Sequence, residues 1–249
     1  MIFDVSACAG HWPFRKLYKP QLSDLLAAHQ KNGVTHAVVS CLDSVFYNDP
    51  TEGDEELAAA LPANYGFIMT HNPKIPYAQD DLTANASLAV GVRLYPNYHK
   101  YALNDATVTA FCKQAAAQGL PIFITCKSDD YRIGYLVAQT VPALDDIIGL
   151  AKAVPTATFI LTGYSAGDLY RDAALMQAVG NLYADTAFFN NLYLPFDQIC
   201  AVFPFERILY GSLFPLQCME TALLALDYAD IDANMKEHIL YRNAERIFG

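Results

Sequence analysis

Short apolar, β-rich runs alternate with stretches of helical spacing along the whole chain. The runs Ile2–Val5, His36–Leu42, Tyr65–His71, Ala89–Tyr95, Pro121–Cys126, Ala157–Thr162, Asn181–Thr186 and Arg207–Tyr210 read as strands. Between them, Leu22, Leu25, Leu26 and His29 repeat at i, i+3, i+4, i+7, the spacing of one helical face. Val108, Phe111, Cys112 and Ala115 do the same. So do Leu169, Ala173 and Met176, and then Ile239, Leu240, Asn243 and Ile247. Gly33, Gly119 and Gly180 each close a helical run just before a strand, where a left-handed residue is often needed. Asn104-Asp105, Asp168 and Asp232 stand where N-caps belong.

Eight strand–helix units in 249 residues give a period of about 31 residues, the βα repeat of a (β/α)8 barrel. No linker, low-complexity tract or charge run divides the chain, so residues 1–249 read as one α/β domain, a TIM barrel. The last unit, from Met219 to Phe248, has room for two helices.

Composition narrows the function. The chain is 53% hydrophobic and 17% charged, which excludes disorder. A net charge of −10 lacks the basic footprint of a nucleic-acid partner. No apolar run approaches the roughly 18 residues of a membrane span. The N-terminus carries no basic and then apolar leader, so a cytoplasmic protein is expected. The six cysteines form no CxxC pair and read as reduced thiols. Twelve per cent aromatic residues with so little charge leave apolar surface for a partner, which points to a homodimer.

In a barrel, chemistry gathers at the C-terminal ends of the strands. Those ends carry Ser6, Cys8, His11 and Trp12, then Ser40 and Cys41, His71, and Arg93, Tyr95, Asn97, Tyr98 and His99. Thr125, Lys127, Asp129, Asp130 and Arg132 follow, then Thr162, Tyr164 and Ser165, then Asp185, and last Ser212 and Leu213. Arg93, Tyr95 and Asn97 share one parity, and Arg93 can clamp a carboxylate or phosphate bidentately. A buried arginine paired with Asp129, Asp130 or Asp185 is the structural alternative. Asp129 and Asp130 are candidate general bases beside Lys127 and Arg132, and His11 is a candidate acid–base group. His29, His36 and His238 read as structural.

Several segments resemble the metal-dependent amidohydrolase superfamily, in its amidohydrolase-related branch. They are Ile2–Phe14, Gly91-Val92-Arg93-Leu94-Tyr95-Pro96-Asn97-Tyr98, Gly119–Thr125, Arg207–Pro215 and Asn243–Gly249. The resemblance implies a TIM barrel and, in most members, one or two divalent metals. The family's His-x-His on the first strand falls here on Ser6 and Cys8. Its strand-five histidine falls on Thr125, its strand-six histidine near Gly163-Tyr164, and its strand-eight aspartate on Leu213. One cysteine does not make a zinc site, which wants three protein ligands. The sequence therefore points to a divergent subgroup without the usual metal ligands, and no cofactor is expected. A relocated zinc site, drawing on His71, His99 and Cys8, Cys41 or Cys126, is the alternative.

The expected function is a hydrolase-like or lyase-like barrel that binds a small acidic organic molecule at its C-terminal mouth. His11, Asp129 and Asp130 would be the catalytic candidates. Trp12, Arg93, Tyr95, Asn97, Lys127 and Arg132 would be the substrate contacts. A catalytically inactive ligand-binding or scaffold protein is the second reading. A third is a serine hydrolase through Ser165, because Gly163-Tyr164-Ser165-Ala166-Gly167 spells Gly-x-Ser-x-Gly between a strand and a helix.

Overall fold

A computed structural model describes residues 1–129 and 141–249. Eight parallel strands lie side by side in chain order. They are β1 (Phe3–Ala9), β2 (His36–Cys41), β3 (Tyr65–His71), β4 (Gly91–Leu94), β5 (Ile122–Thr125), β6 (Phe159–Thr162), β7 (Leu182–Asp185) and β8 (Ile208–Leu209). The amides of Val5 and Cys8 donate to the carbonyls of Tyr210 and Phe214, at 2.9 and 2.8 Å, which draws the chain after β8 back onto β1. The molecule is a single (β/α)8 barrel.

Helices α1 (Leu22–Asn32), α2 (Thr51–Ala60), α3 (Ala78–Asn85), α4 (Pro96–His99), α5 (Ala106–Ala117), α6 (Leu144–Ala153), α7 (Ala166–Gln177) and α8 (Pro195–Cys200) occupy the connections. After β8 come α9 (Met219–Asp227), α10 (Ala233–Glu237) and α11 (Asn243–Phe248), with a π-helical turn at His238–Arg242 joining the last two. No helix among the described residues is long and apolar enough to cross a membrane. All six cysteines are free thiols.

The caps refine the sequence reading. Asp105 and Asp232 cap α5 and α10, accepting from the amides of Thr107 and Met235 at 2.8 Å each. The cap of α7 is Ser165 rather than Asp168, which sits one turn inside the helix and faces back to the serine. Gly33 and Gly119 take the left-handed conformation, with φ of 72° and 74°, whereas Gly180 does not.

Each strand has two apolar destinations. Val39, Met69, Val92, Leu94, Ile122, Ile124, Leu161 and Leu182 face outward against Leu25, Leu57, Phe111, Ile147 and Leu169 of the helices. Inside the barrel, Val5, Val38, Ile68, Phe123, Ile160 and Leu209 form an apolar lower layer. Phe248 of α11 plugs its floor, with its ring centroid 6.1 Å from that of Phe123. A Cβ at Gly91 would lie 3.3 Å from the Phe123 ring, so the glycine gives that ring its space.

Candidate functional site at the barrel mouth

Two residues further along each strand the interior changes character, because side chains alternate faces with a period of two. Ser40, Thr70, Thr125 and Thr162 follow Val38, Ile68, Phe123 and Ile160 into the barrel. Arg93 and Asp185 enter from β4 and β7, and Ser6 enters from an irregular step in β1. Two residues past Leu209, just beyond the end of β8, the position is Gly211. A Cβ there would meet Ser6 Oγ at 2.3 Å and Asp185 Cβ at 2.9 Å, so the glycine lets both side chains in. These residues form a polar collar, all of it buried.

Among the described residues, the collar is rich in polar atoms without a protein partner. They include Ser6 Oγ, Ser40 Oγ, Thr70 Oγ1, Thr125 Oγ1, Thr162 Oγ1, Asp185 Oδ2 and two nitrogens of Arg93. Buried polar groups are almost always satisfied by protein or water, so such a cluster marks a place that something polar occupies.

Arg93 is 0% exposed. Its Nη1 lies 3.4 Å from Cys8 Sγ, and its Cζ lies 4.9 Å from the centre of the Phe123 ring. Burial works against its charge, but the neighbouring Tyr95, Cys8 and Asp185 outweigh that, and its pKa lies above the ordinary value. Nε and Nη2 are the unpartnered nitrogens. They lie on one edge of the guanidinium and present two parallel N–H donors, the fork that takes a carboxylate bidentately.

Asp185 is held rigidly. Its Oδ1 accepts from the amides of Gly163 at 3.1 Å and Ala187 at 3.2 Å. Burial pushes its carboxyl up to about 6, against the pull of those amides, of Ser6 and of Arg93. No carboxylate among the described residues comes within ion-pair distance of Arg93.

Above the collar the mouth is roofed. Cys8, Trp12, Leu42, Val45, Tyr95, Phe188, Leu213 and Leu216 form one buried apolar cluster. The rings of Trp12, Phe14, Phe46 and Tyr98 all meet one another, with centroids 5.2–5.9 Å apart. Five of the six pairs are edge-to-face and Phe14–Tyr98 is stacked, and such packing adds to plain burial. The loop that carries Trp12 is pinned across the mouth. Trp12 Nε1 donates to Asp129 Oδ2, Arg15 Nε donates to Asp129 Oδ1 at 2.8 Å, and Arg15 Nη2 donates to the carbonyl of Leu216 at 2.5 Å.

The structure sorts the candidates read from sequence. Trp12 and Tyr95 join the roof, and Arg93 lies in the collar. The Tyr95 hydroxyl lies beside the Arg93 guanidinium, and burial pushes its pKa up against the pull of that charge. Lys127 Nζ lies 4.8 Å from the centre of the Phe188 ring. Both carboxylate oxygens of Asp129 are engaged by Trp12 and Arg15. His11 is exposed at the rim, its backbone amide donating to Asp43 at 3.0 Å. Asn97 does not follow Arg93 and Tyr95 into the barrel. Pro96 opens α4 directly after β4, the strand parity ends there, and Asn97 Nδ2 donates to the Cys126 carbonyl at 2.8 Å. Asp130 and Arg132 lie outside the described residues.

Ser165 Oγ donates to Asp168 Oδ2 at 2.6 Å and accepts from the Asp168 amide at 3.2 Å, as an N-cap does. His238 Nδ1 pairs instead with Asn243 at 2.9 Å. Sequence reasoning missed Arg15, Thr70 and Asp54. It also gave no hint that Asp4 joins His29 to Ser212, with Asp4 Oδ2 3.2 Å from His29 Nε2 and Asp4 Oδ1 2.9 Å from the Ser212 amide.

Comparison with known proteins decides the descent. The amidohydrolase family model matches residues 15–249. The chain belongs to the amidohydrolase family. A search of curated proteins finds no match to the sequence. Among solved structures it resembles 2,6-dihydroxybenzoate decarboxylase in complex with 2,6-dihydroxybenzoate, with a TM-score of 0.76, 14% identity, and 99% and 98% of the two chains covered. It also resembles 5-carboxyvanillate decarboxylase from Sphingomonas paucimobilis, with a TM-score of 0.72, 15% identity, and 99% and 98% covered. A third is the dihydroxybenzoic acid decarboxylase of Polaromonas sp. JS666, solved with manganese and the inhibitor 2-nitroresorcinol, with a TM-score of 0.72, 14% identity, and 99% and 96% covered. At these identities the likeness is one of fold.

The residues of this amidohydrolase do not fit a divalent metal at the positions the family uses. Ser6 and Thr125 are collar hydroxyls, Cys8 touches the Arg93 guanidinium, and Leu213 belongs to the apolar roof. Burial pushes the Cys8 thiol up to about 11. A cation beside the fixed charge of Arg93 would also be repelled. Among the described residues, no three His, Cys, Asp or Glu side chains come together as a metal site. The relocated set is scattered: His71 packs on Phe111 at 5.2 Å, and His99 Nε2 donates to the Val45 carbonyl at 2.8 Å.

Proposed function

We propose that this amidohydrolase binds a small organic acid inside the barrel, its carboxylate on the free edge of Arg93, without a divalent metal at the family's positions. The observation that carries this reading is the pair of unpartnered nitrogens on a buried guanidinium. An isolated buried charge is costly, and a bidentate carboxylate supplies both the missing hydrogen bonds and the counter-charge. The collar hydroxyls of Thr125 and Thr162 can turn to donate to or accept from the ligand. Trp12, Tyr95 and Phe188 of the roof exclude water, which strengthens the ion pair beneath them. Phe46, 40% exposed, is the accessible edge of the aromatic group through which the roof would part.

A hydrolase or lyase reaction there would draw its base from a carboxylate of the interior. A specific observation favours a binding protein instead: both oxygens of Asp129 are engaged, so that carboxylate holds the roof shut rather than meeting a substrate.

Calorimetric titration with 2,6-dihydroxybenzoate and with 5-carboxyvanillate, the acids of the structural relatives, tests the reading. At least one acid is expected to bind the wild type, and Arg93→Met, checked for folding by circular dichroism, is expected to bind it about 100-fold more weakly or worse. Equal binding by the folded variant would overturn the assignment, as would stoichiometric metal in protein purified without added metal. Mass spectrometry of the recovered ligand separates binding from turnover.

A further inference from the structure

The collar has a second charged pole, within electrostatic reach of Arg93. Most of its unpartnered atoms are hydroxyls, which both donate and accept and therefore impose no polarity on a guest. Two groups are different. The free edge of Arg93 can only donate. Asp185 Oδ2, ionised, can only accept, and it has no partner among the described residues. The two opposite charges are fixed so that they do not meet. Arg93 is anchored by Cys8 and by the face of Phe123. Asp185 is anchored by the amides of Gly163 and Ala187.

A ligand that satisfies Arg93 with a carboxylate leaves the Asp185 oxygen with no donor but the neighbouring Ser6 hydroxyl. It also leaves the collar with one uncompensated negative charge, because Arg93 and Asp185 are its two opposite charges before the ligand enters. Both costs vanish for a guest that carries its own cation. We propose that Asp185 is the specificity-determining residue of this site and that the ligand is an amino acid-type zwitterion, its carboxylate on Arg93 and its ammonium on Asp185 Oδ2. This rests on the carboxylate reading of Arg93 given above.

Two matched series test it: propionate, lactate and alanine, and the bulkier phenylacetate, mandelate and phenylglycine. Each series keeps the carboxylate and changes only hydrogen, hydroxyl or amine beside it. Titrated at neutral pH into the wild type, the amine is expected to bind best in at least one series, by about tenfold or more over the unsubstituted acid. In Asp185→Asn that preference is expected to disappear while the unsubstituted acid binds as well or better, since a repelling charge is gone. The asparagine keeps a carbonyl oxygen for the two anchoring amides, and the wild-type ranking stands without the variant.

Equal binding within a series would overturn the zwitterion and leave Arg93 as carboxylate clamp. A preference for lactate or mandelate over the amine would overturn it in favour of a hydroxy acid. Binding by none of the six would also overturn it, and the titrations with Arg93→Met then decide separately whether the clamp survives.

Discussion

The lower layer and the collar are built from the same strands, two residues apart, and they could hardly differ more. Val38, Ile68, Phe123, Ile160 and Leu209 fill the first with branched and aromatic side chains. Ser40, Thr70, Thr125, Thr162 and Gly211 line the second with hydroxyls and a bare backbone. Both are buried, so exposure does not distinguish them. The difference is in satisfaction: the lower layer has no polar atom to satisfy, and the collar has many. The barrel is therefore held together below the collar and by the helix-facing shell. Among the described residues, the collar's hydroxyls are left without a protein partner. Threonine suits this double duty, since its β-branched stem fits a strand while its hydroxyl stays available.

The largest break in that comparison lies in the lower layer. Phe123 stacks on Phe248 and also packs against the Arg93 guanidinium. Phe123→Ala is expected to cost about 3–5 kcal/mol of stability in urea unfolding. A loss below about 1 kcal/mol would mean that the lower layer does not anchor the barrel.

A smaller effect is expected behind the collar, at Asp54 of α2. Its Oδ2 accepts from the Thr70 amide at 2.7 Å, while its Oδ1 has no partner among the described residues. Burial raises its carboxyl to about 7, with Ser44 and the Thr70 amide pulling the other way. The folded chain thus holds this proton over a pH range in which the unfolded chain has released it. By linkage, stability from this group is greatest in acid and is lost as pH rises from about 4 to about 7. Asp54→Asn removes that dependence. Across this window the wild type should lose roughly 2–4 kcal/mol relative to the variant. Parallel pH curves for the two proteins would show that Asp54 ionises freely.

Periodicity made the barrel legible and left most of the site obscure. Tyr65–His71 was readable to the residue, because an apolar, β-rich run is bounded by a proline-containing segment on each side. β1 runs on to Ala9, past the expected end at Val5. Ser6-Ala7-Cys8 lacks the branched residues that signal a strand, and the small Ser6 is what the collar takes from it. Arg93 stood out as a charge in an apolar run. Its free edge could not be foreseen, because that depends on Cys8, 85 positions away, meeting only one of its nitrogens. Asp129 looked like a base on a loop. Its engagement by Arg15, 114 positions away, is a long-range fact that no local pattern carries.

The smallest expected effect is the most diagnostic. Thr162 Oγ1 is buried without a partner, whereas the Thr162 carbonyl accepts from the Cys126 amide at 2.8 Å. Thr162→Val keeps the shape, the strand propensity and that backbone bond, and it exchanges the hydroxyl for a methyl. Replacing a satisfied buried hydroxyl this way costs about 1 kcal/mol, and replacing an unsatisfied one costs nothing or stabilises. Unfolding should therefore show a change between no effect and a gain of about 1 kcal/mol. The same substitution removes a group that a guest in the collar would use, so the affinity for any acid found to bind Arg93 should fall about 3- to 10-fold. Opposite signs for stability and binding are the signature of a collar shaped for a ligand. A loss in both would mean that the hydroxyl serves the fold, and the contrast between collar and lower layer would then reduce to one of side-chain size.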